Sequence, residues 1–380
     1  MTRSFTQFDI HPEQVLLLKA ALFPANEALS CWQLWKKARR LDQSIATHEN
    51  LLPSIFDPLD GDSQRLMPLV YRNLEKSGDP LIPHLRGIYR YTWMTNQRFL
   101  EKMKQVINTL HQAKIDTIVL KGIPLSLLYY KDMGVRLMYD LDVLVPTTEA
   151  DQALQALLAA PLDLQSSKFE YTYRHLHHAM HLWDTRKVDV DLHWNVLSQH
   201  AYMGADTLFW ASKQPLALTN SLFTNTLSPT HQLFHNFVHG FGWNTSLPPP
   251  IRWIADSYVI YTKPDSTINW HALLDMAEWF QLTYPIRQSL RLLQAEFQLA
   301  LPADVHERLE KMPLSSVEKS YFTLVRKKSS NLVSKVIRGL KRNQLAYQLF
   351  RKGKPVPPIS HWMYDQIRFR LDWPKRDLPY

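Results

Sequence analysis

Arg136-Leu-Met-Tyr-Asp140-Leu-Asp142-Val-Leu-Val145 is the stretch on which the reading of this chain turns. Leu141–Val145 is short, apolar and β-branched, and Pro146 closes it, so it predicts a strand. Side chains two apart on a strand share a face. Asp140 and Asp142 are therefore expected to project together, with Leu141 and Val143 turned into the core. Two adjacent carboxylates repel, and holding them on an apolar strand is costly unless a cation or donor neutralises them. Mg2+ suits the task, because it prefers carboxylate and phosphate oxygens and keeps several waters.

Val188-Asp189-Val190-Asp191-Leu192-His193-Trp194 repeats the pattern further along. By the same period of two, Asp189, Asp191 and His193 share a face. A third acid from this strand would complete a carboxylate set able to hold two cations, and such a set can serve phosphoryl transfer. An isolated Asp-x-Asp also fits a solvent-facing edge strand, so the preceding segment matters. Ile115-Asp-Thr-Ile-Val-Leu120 predicts a buried strand, Lys121-Gly122 a turn, and Ile123–Tyr130 a helix with Pro124 in its first turn. A strand–turn–helix unit offers backbone N–H groups to a phosphate. Gly122 would let the backbone approach closely, and Lys121 could pair with the phosphate. The plainer readings are a surface charge at Lys121, a simple turn at Gly122, and a salt bridge from Arg136 that orients Asp140.

Lys121-Gly122-x-x-x-Ser126, Arg136-x-x-x-Asp140-x-Asp142-x-Leu-Val and Asp191-Leu-His-Trp together resemble the uncharacterised bacterial nucleotidyltransferase family of the DNA-polymerase-β-like superfamily. Arg65-Leu-Met-Pro-Leu-Val-Tyr-Arg-Asn-Leu74 and the helix His231–His239 followed by Asp256 add to the likeness, which runs to about residue 300. The resemblance implies transfer of a nucleoside monophosphate from an NTP to an acceptor, with Mg2+ or Mn2+ as cofactor and release of pyrophosphate. Asp140, Asp142 and Asp191 match the family's acids, with Asp189 a second claimant for the third. Lys121, Gly122, Ser126 and Arg136 would position the nucleotide. The wider superfamily usually carries Gly-Ser near the end of the first strand, where this chain has Lys121-Gly122-Ile123. Lys-Gly is also similar to the pattern in abortive-infection toxin nucleotidyltransferases. A non-catalytic nucleotide- or RNA-binding module of a bacterial defence or modification system is the alternative.

The implied fold class is α+β, a small mixed sheet flanked by helical regions. Residues 1–113 read as an N-terminal helical region, 114–200 as the nucleotidyltransferase core, 201–320 as a C-terminal helical region and 321–380 as a basic extension. Helices are predicted from Pro12, over Ser63–Lys76 (with Pro68 kinking or shortening it), over Pro83–His111 as one helix or two, and from a cap at Thr147 or Thr148. After about His200 they are predicted over Pro229–Phe241, Ile251–Tyr261, Trp270–Phe280 and Tyr284–Leu299. Further strands are predicted at Phe169–Tyr173 and His178–Trp183.

The chain has 380 residues, 45% of them hydrophobic, enough for two or three packed units. No run of about 18 apolar residues suggests a membrane span, and the N-terminus lacks the apolar core of a secretion signal. Cys31 is the sole cysteine, which excludes an intramolecular disulfide and fits a cytoplasmic protein. The net charge is +9, and ten Lys or Arg with no acid lie between Arg326 and Lys354. That stretch could meet RNA, another nucleic acid or an anionic surface, or be a solvated helical face. The acceptor implied by the resemblance stays open among RNA, protein, a phosphorylated metabolite and a glycan. His231, His235 and His239 share a helical face, a spacing that can bind zinc or present a base. Packing is the favoured reading there, because no Cys or Glu completes a site, and His235 is the one expected at the cleft. His175, His177, His178 and His181 are expected on a strand or loop. Trp183, Trp194, Trp243, Trp253 and Trp270 are read as packing residues.

Overall fold

The computed structural model describes residues 10–41, 59–166, 172, 174–185, 188–242, 250–326 and 331–372. Apart from Thr172, the strand expected at Phe169–Tyr173 lies outside the described residues, as does Trp243. In chain order the first elements are α1 (Pro12–Leu22), α2 (Ala25–Ala38), α3 (Gly61–Leu74) and α4 (Ile82–Gln112). Asp60 caps α3 by accepting from the Ser63 amide, so Pro68 lies well inside a helix that continues through it. The α4 pattern resolves as one helix of 31 residues.

β1 (Ile118–Leu120) follows, then a single α-turn (Gly122–Pro124) that runs into a π-helical segment (Leu125–Tyr130). β2 (Asp140–Leu144) and α5 (Ala150–Ala159) come next. Thr147 does not cap α5; its hydroxyl donates to the Trp194 carbonyl at 2.8 Å and ties this corner to the end of the next long strand. β3 (Gln165–Ser166), β4 (Ala179–Trp183) and β5 (Asp189–His193) complete the expected core.

The sheet does not stop at residue 200. After α6 (Thr207–Ala211), a hairpin of β6 (Lys213–Ala217) and β7 (Phe223–Leu227) returns to it. β7 pairs with β1 in parallel, and the seven strands lie in the order β3-β4-β5-β2-β1-β7-β6. The fold is α+β with a mixed sheet, and the segment expected to begin a helical region first supplies two strands. Their sequences are too polar to announce them: Lys-Gln-Pro-Leu-Ala and Phe-Thr-Asn-Thr-Leu lack a sustained apolar face. Threonines satisfy the seam instead, with the Thr117 and Thr224 hydroxyls 2.8 Å apart and Thr226 donating to the Val119 carbonyl.

Helices then resume as α7 (Pro229–Gly242), α8 (Arg252–Thr262), α9 (Trp270–Trp279), α10 (Thr283–Phe297), α11 (Ala303–Lys311), α12 (Ser316–Arg326), α13 (Leu332–Ala346) and α14 (Ile359–Asp372). A π-helical segment, Tyr347–Arg351, ends α13. Among the described residues no helix is long and apolar enough to cross a membrane.

Strand alternation divides the core in two. Val119, Leu141, Val143, Val190 and Leu192 face α4 and α5, burying Met103, Val106, Ile107, Leu154 and Leu157. Ile118, Leu120, Leu144 and Leu227 face the opposite way, into a larger cluster that contains Phe234, Phe237, Ile254 and Trp253 of α7 and α8. Phe322, Leu349 and Phe350 join that cluster, so the basic extension is anchored on the body of the fold. The acids lie on this second face, between the sheet and α7–α8.

Candidate metal and nucleotide site

β2 and β5 run in parallel and in register, with Asp140 beside Asp189, Asp142 beside Asp191 and Leu144 beside His193. The two acidic strands are therefore direct neighbours. Leu120, the residue before Lys121, pairs with Asp142 from the other side. One strand end thus carries the cation and the next carries the acids.

Asp142 is the centre of the cluster and is 1% exposed. Its Oδ1 accepts from Lys121 Nζ at 2.5 Å and lies 3.0 Å from His193 Nε2. Its Oδ2 is buried with no hydrogen-bond partner. Burial alone would raise its pKa, but the Lys121 charge and the His193 hydrogen bond outweigh it and hold the carboxyl well below the usual range. Asp191 accepts or shares a hydrogen bond with His181 Nδ1 at 3.0 Å, across the β4–β5 pair. Asp142, Asp191 and His193 each offer a ligand atom, and these atoms lie within 4.8 Å of one another. A buried carboxylate oxygen without a partner, beside a second carboxylate and an imidazole, is a donor set that a divalent cation would satisfy.

Asp140 stands apart from this trio. Its pKa is raised by burial and then by the charges of Asp142 and Asp191. It lines a cavity of about 180 Å3 together with Lys121, Gly122, Arg65, Arg136 and Arg252. Asp189 faces His181 at 3.7 Å and is the more exposed of the two β5 acids.

Lys121 has φ +51° and ψ −108°, a conformation that glycine ordinarily supplies. The positive φ falls on the lysine and not on Gly122. Gly122 lines the cavity, and its missing side chain also has a local role. A Cβ there would meet Met138 Sδ at 2.7 Å and come within 3.4 Å of Arg136 Nη1, so the missing side chain makes room for the loop that leads into β2. Ser126, expected to help hold the nucleotide, is buried in the π-helical segment without a hydroxyl partner and is not among the residues lining the cavity. Segment packing turns it inward.

Arg136 does not pair with Asp140. Its guanidinium makes a two-point pair with Asp256 of α8, at 2.8 and 2.9 Å, and Tyr130 donates to the same carboxylate. Burial alone would lower its pKa, but the Asp256 charge raises it well above the ordinary value. Asn96 of α4 fixes the same loop by donating to the Met133 and Arg136 carbonyls and accepting from the Met138 amide. The loop that aims the acids is therefore clamped from both helical layers.

Several contributors were not singled out from the sequence. Arg252 donates to the Leu137 carbonyl at 2.8 Å and lines the cavity; burial first, then the neighbouring Arg136, lowers its pKa to about 10. Arg65 lines the cavity too, beside Asp62 and over the Tyr139 ring. The i,i+4 spacing of Arg252 and Asp256 on one helix is the signal that was available. The α7 histidines divide: His231 hydrogen-bonds Ser228 and packs on Phe209, whereas His235 and His239 line the cavity. His235 is buried and its Nδ1 has no partner. A water-sized void of about 10 Å3 lies behind, bounded by Lys121, His178, His193 and His235.

The profile of a protein family described as uncharacterised nucleotidyltransferase matches residues 62–298, more than half of the chain. Among solved structures, the crystal structure of an antigenic nucleotidyltransferase-like protein from Paracoccidioides brasiliensis aligns at 18% identity with a TM-score of 0.34, covering 57% of this chain and 94% of that one. No curated protein matches.

Proposed function

The chain belongs to the uncharacterised nucleotidyltransferase family, and from that premise we propose that it is a metal-dependent enzyme transferring a nucleoside monophosphate from an NTP to an acceptor. The observation that carries the reading is the partnerless, buried Asp142 Oδ2 beside Asp191 and His193. A divalent cation bound there supplies charge neutralisation for the transferring phosphoryl group. Asp140 faces the neighbouring cavity, where a raised pKa is relieved by any cation that arrives with the nucleotide. Lys121, Arg65 and Arg252 line that cavity and would bind the triphosphate by charge-assisted hydrogen bonds. Arg136 holds its loop against Asp256 and acts by positioning. Radiolabelled NTPs incubated with Mg2+ or Mn2+ and with RNA, protein or small-molecule fractions test the reading. Label transfer with pyrophosphate release is expected for the wild type and not for Asp140→Asn; equal turnover in both would sink it.

A nucleotide-binding protein without turnover is the second reading. Lys121 Nζ lies 2.5 Å from Asp142, so a tethered cation already neutralises the acid. ATP binding with no pyrophosphate release from any acceptor fraction favours this reading.

For contact beyond the nucleotide, α13 is the candidate surface. Val333, Val336, Ile337 and Leu340 form an exposed stripe at i, i+3, i+4 and i+7, flanked by Lys335, Lys341 and Arg342. A basic helix with an aliphatic stripe suits an anionic lipid surface, which takes both features; a nucleic acid would use only the charge.

A further inference from the structure

We propose that His193 is a direct metal ligand, and that the centre is therefore a mixed imidazole–carboxylate one selecting Mn2+ over Mg2+. The inference rests on the reading of Asp142 and Asp191 as metal-binding, and it deepens that reading by adding the donor that sets the choice of metal. His193 is the last residue of β5, two along from Asp191 on the same face and two register positions beyond the partner of Asp142. It is 2% exposed, so its ring is committed to this cluster and not to solvent.

The two ring nitrogens have different surroundings. Nδ1 faces the Asn195 carbonyl at 3.4 Å, and a carbonyl can only accept. Nε2 faces Asp142 Oδ1 at 3.0 Å. Without metal, Nε2–H can donate to that oxygen; a metal ion takes the place of this proton on Nε2, and the ring proton then sits on Nδ1, toward the Asn195 carbonyl. An imidazole held by an N–H to a carbonyl is the usual arrangement of a ligating histidine. Asp142 Oδ2, buried and partnerless, offers the same ion a second carboxylate oxygen.

The ring is also held in place. His178 packs edge-on against it, with centroids 5.1 Å apart. Asn195, whose carbonyl faces Nδ1, is fixed by its own amide to Asp206 at 3.0 Å. His181 orients Asp191 from the next strand. Three donors on adjacent strands, each with a supporting contact, make a preorganised set. Imidazole nitrogen binds first-row transition ions far more readily than Mg2+, whose preference is for oxygen.

The test uses the full chain with Mn2+ alone and then with ATP added. Electron spin-echo modulation of the bound Mn2+ should carry the signature of a directly coordinated imidazole nitrogen in the wild type. His193→Gln should lose that signature and bind Mn2+ about tenfold more weakly or worse, the scale seen even for outer partners of a ligand, while Mg2+ affinity, read by competition, changes less than about threefold. Mn2+ bound without a coordinated nitrogen overturns the role of His193 and leaves the carboxylate site standing. No Mn2+ binding with or without ATP overturns both. Because the wild-type spectrum decides the question by itself, a variant that fails to fold does not spare the proposal.

Discussion

Lys121 is held in a backbone conformation that costs on the order of 1–3 kcal/mol for a residue with a Cβ. Its ion pair with Asp142 is the compensation on view. The charges at this point are unequal in what they do for stability. Asp142 neutralises Lys121 and receives His193, so Asp142→Asn leaves a buried ammonium without its partner. That change should destabilise the protein by about 3–5 kcal/mol in urea unfolding. Asp140 is the opposite case. Its folded pKa is raised, so its charge imposes a penalty absent below the unfolded value near about 3.9 and developed as pH rises through the folded value. Asp140→Asn should therefore match or exceed wild-type stability at neutral pH, lose that advantage at acid pH, and still abolish nucleotidyl transfer. A pH series of unfolding midpoints for the two variants checks both signs. Gly122→Ser, which writes in the residue of the wider pattern, should cost about 1–3 kcal/mol through its contact with Met138. Met138→Ala in the same chain should recover part of that loss.

At the scale of elements, β2 and β5 were legible because apolar residues alternate with acids along both, and a period of two assigns each acid a face. Their adjacency was not legible, since strand order is a tertiary fact. The hairpin β6–β7 escaped because its strands are polar and satisfied by threonine hydroxyls. Asp140, Asp142 and Asp191 could be named from pattern and resemblance. That Arg136 pairs with Asp256 could not be read, because the pair spans 120 residues and depends on how α8 docks. Gly122 was read for a phosphate; that its missing side chain also makes room for Met138 depends on tertiary packing, which a sequence pattern does not carry. The basic stretch looked uniform, yet Arg351 is buried against the Ala201 carbonyl and Lys354 sits over the Tyr202 and Trp279 rings. Among the described residues of that stretch, α13 keeps an exposed aliphatic stripe beside basic side chains. Val336→Glu with Ile337→Glu should abolish co-sedimentation with phosphatidylserine vesicles while leaving NTP binding intact. Wild-type binding should weaken as salt rises. Co-sedimentation unchanged by the double substitution would remove α13 as the contact.

For the molecule as a whole, the site lies between layers: the sheet supplies acids and Lys121, and α7–α8 supply His235, Arg252 and Asp256. A ligand that bridges those layers stabilises only the assembled form. Saturating Mn2+ and ATP, each at about a hundred times its dissociation constant, should each add roughly 2.7 kcal/mol to unfolding, and neither alone should give the combined effect. Differential scanning fluorimetry of the wild type and of Arg252→Ala measures this, with the variant expected to lose most of the ATP increment and keep that of Mn2+.

The parallel pairing of β1 with β7 also fixes an order in time. The strand that ends just before Lys121 finds its second neighbour only 107 residues later, as the Thr117–Thr224 contact records. On a ribosome elongating at about 5–20 residues per second, that is roughly 5–20 s during which one edge of β1 has no partner of its own. The nascent acids would be translated, and even paired with β5, well before the sheet around them is closed. A chain stalled just short of residue 223 should therefore expose a strand edge that a chaperone, or a second nascent chain, can occupy.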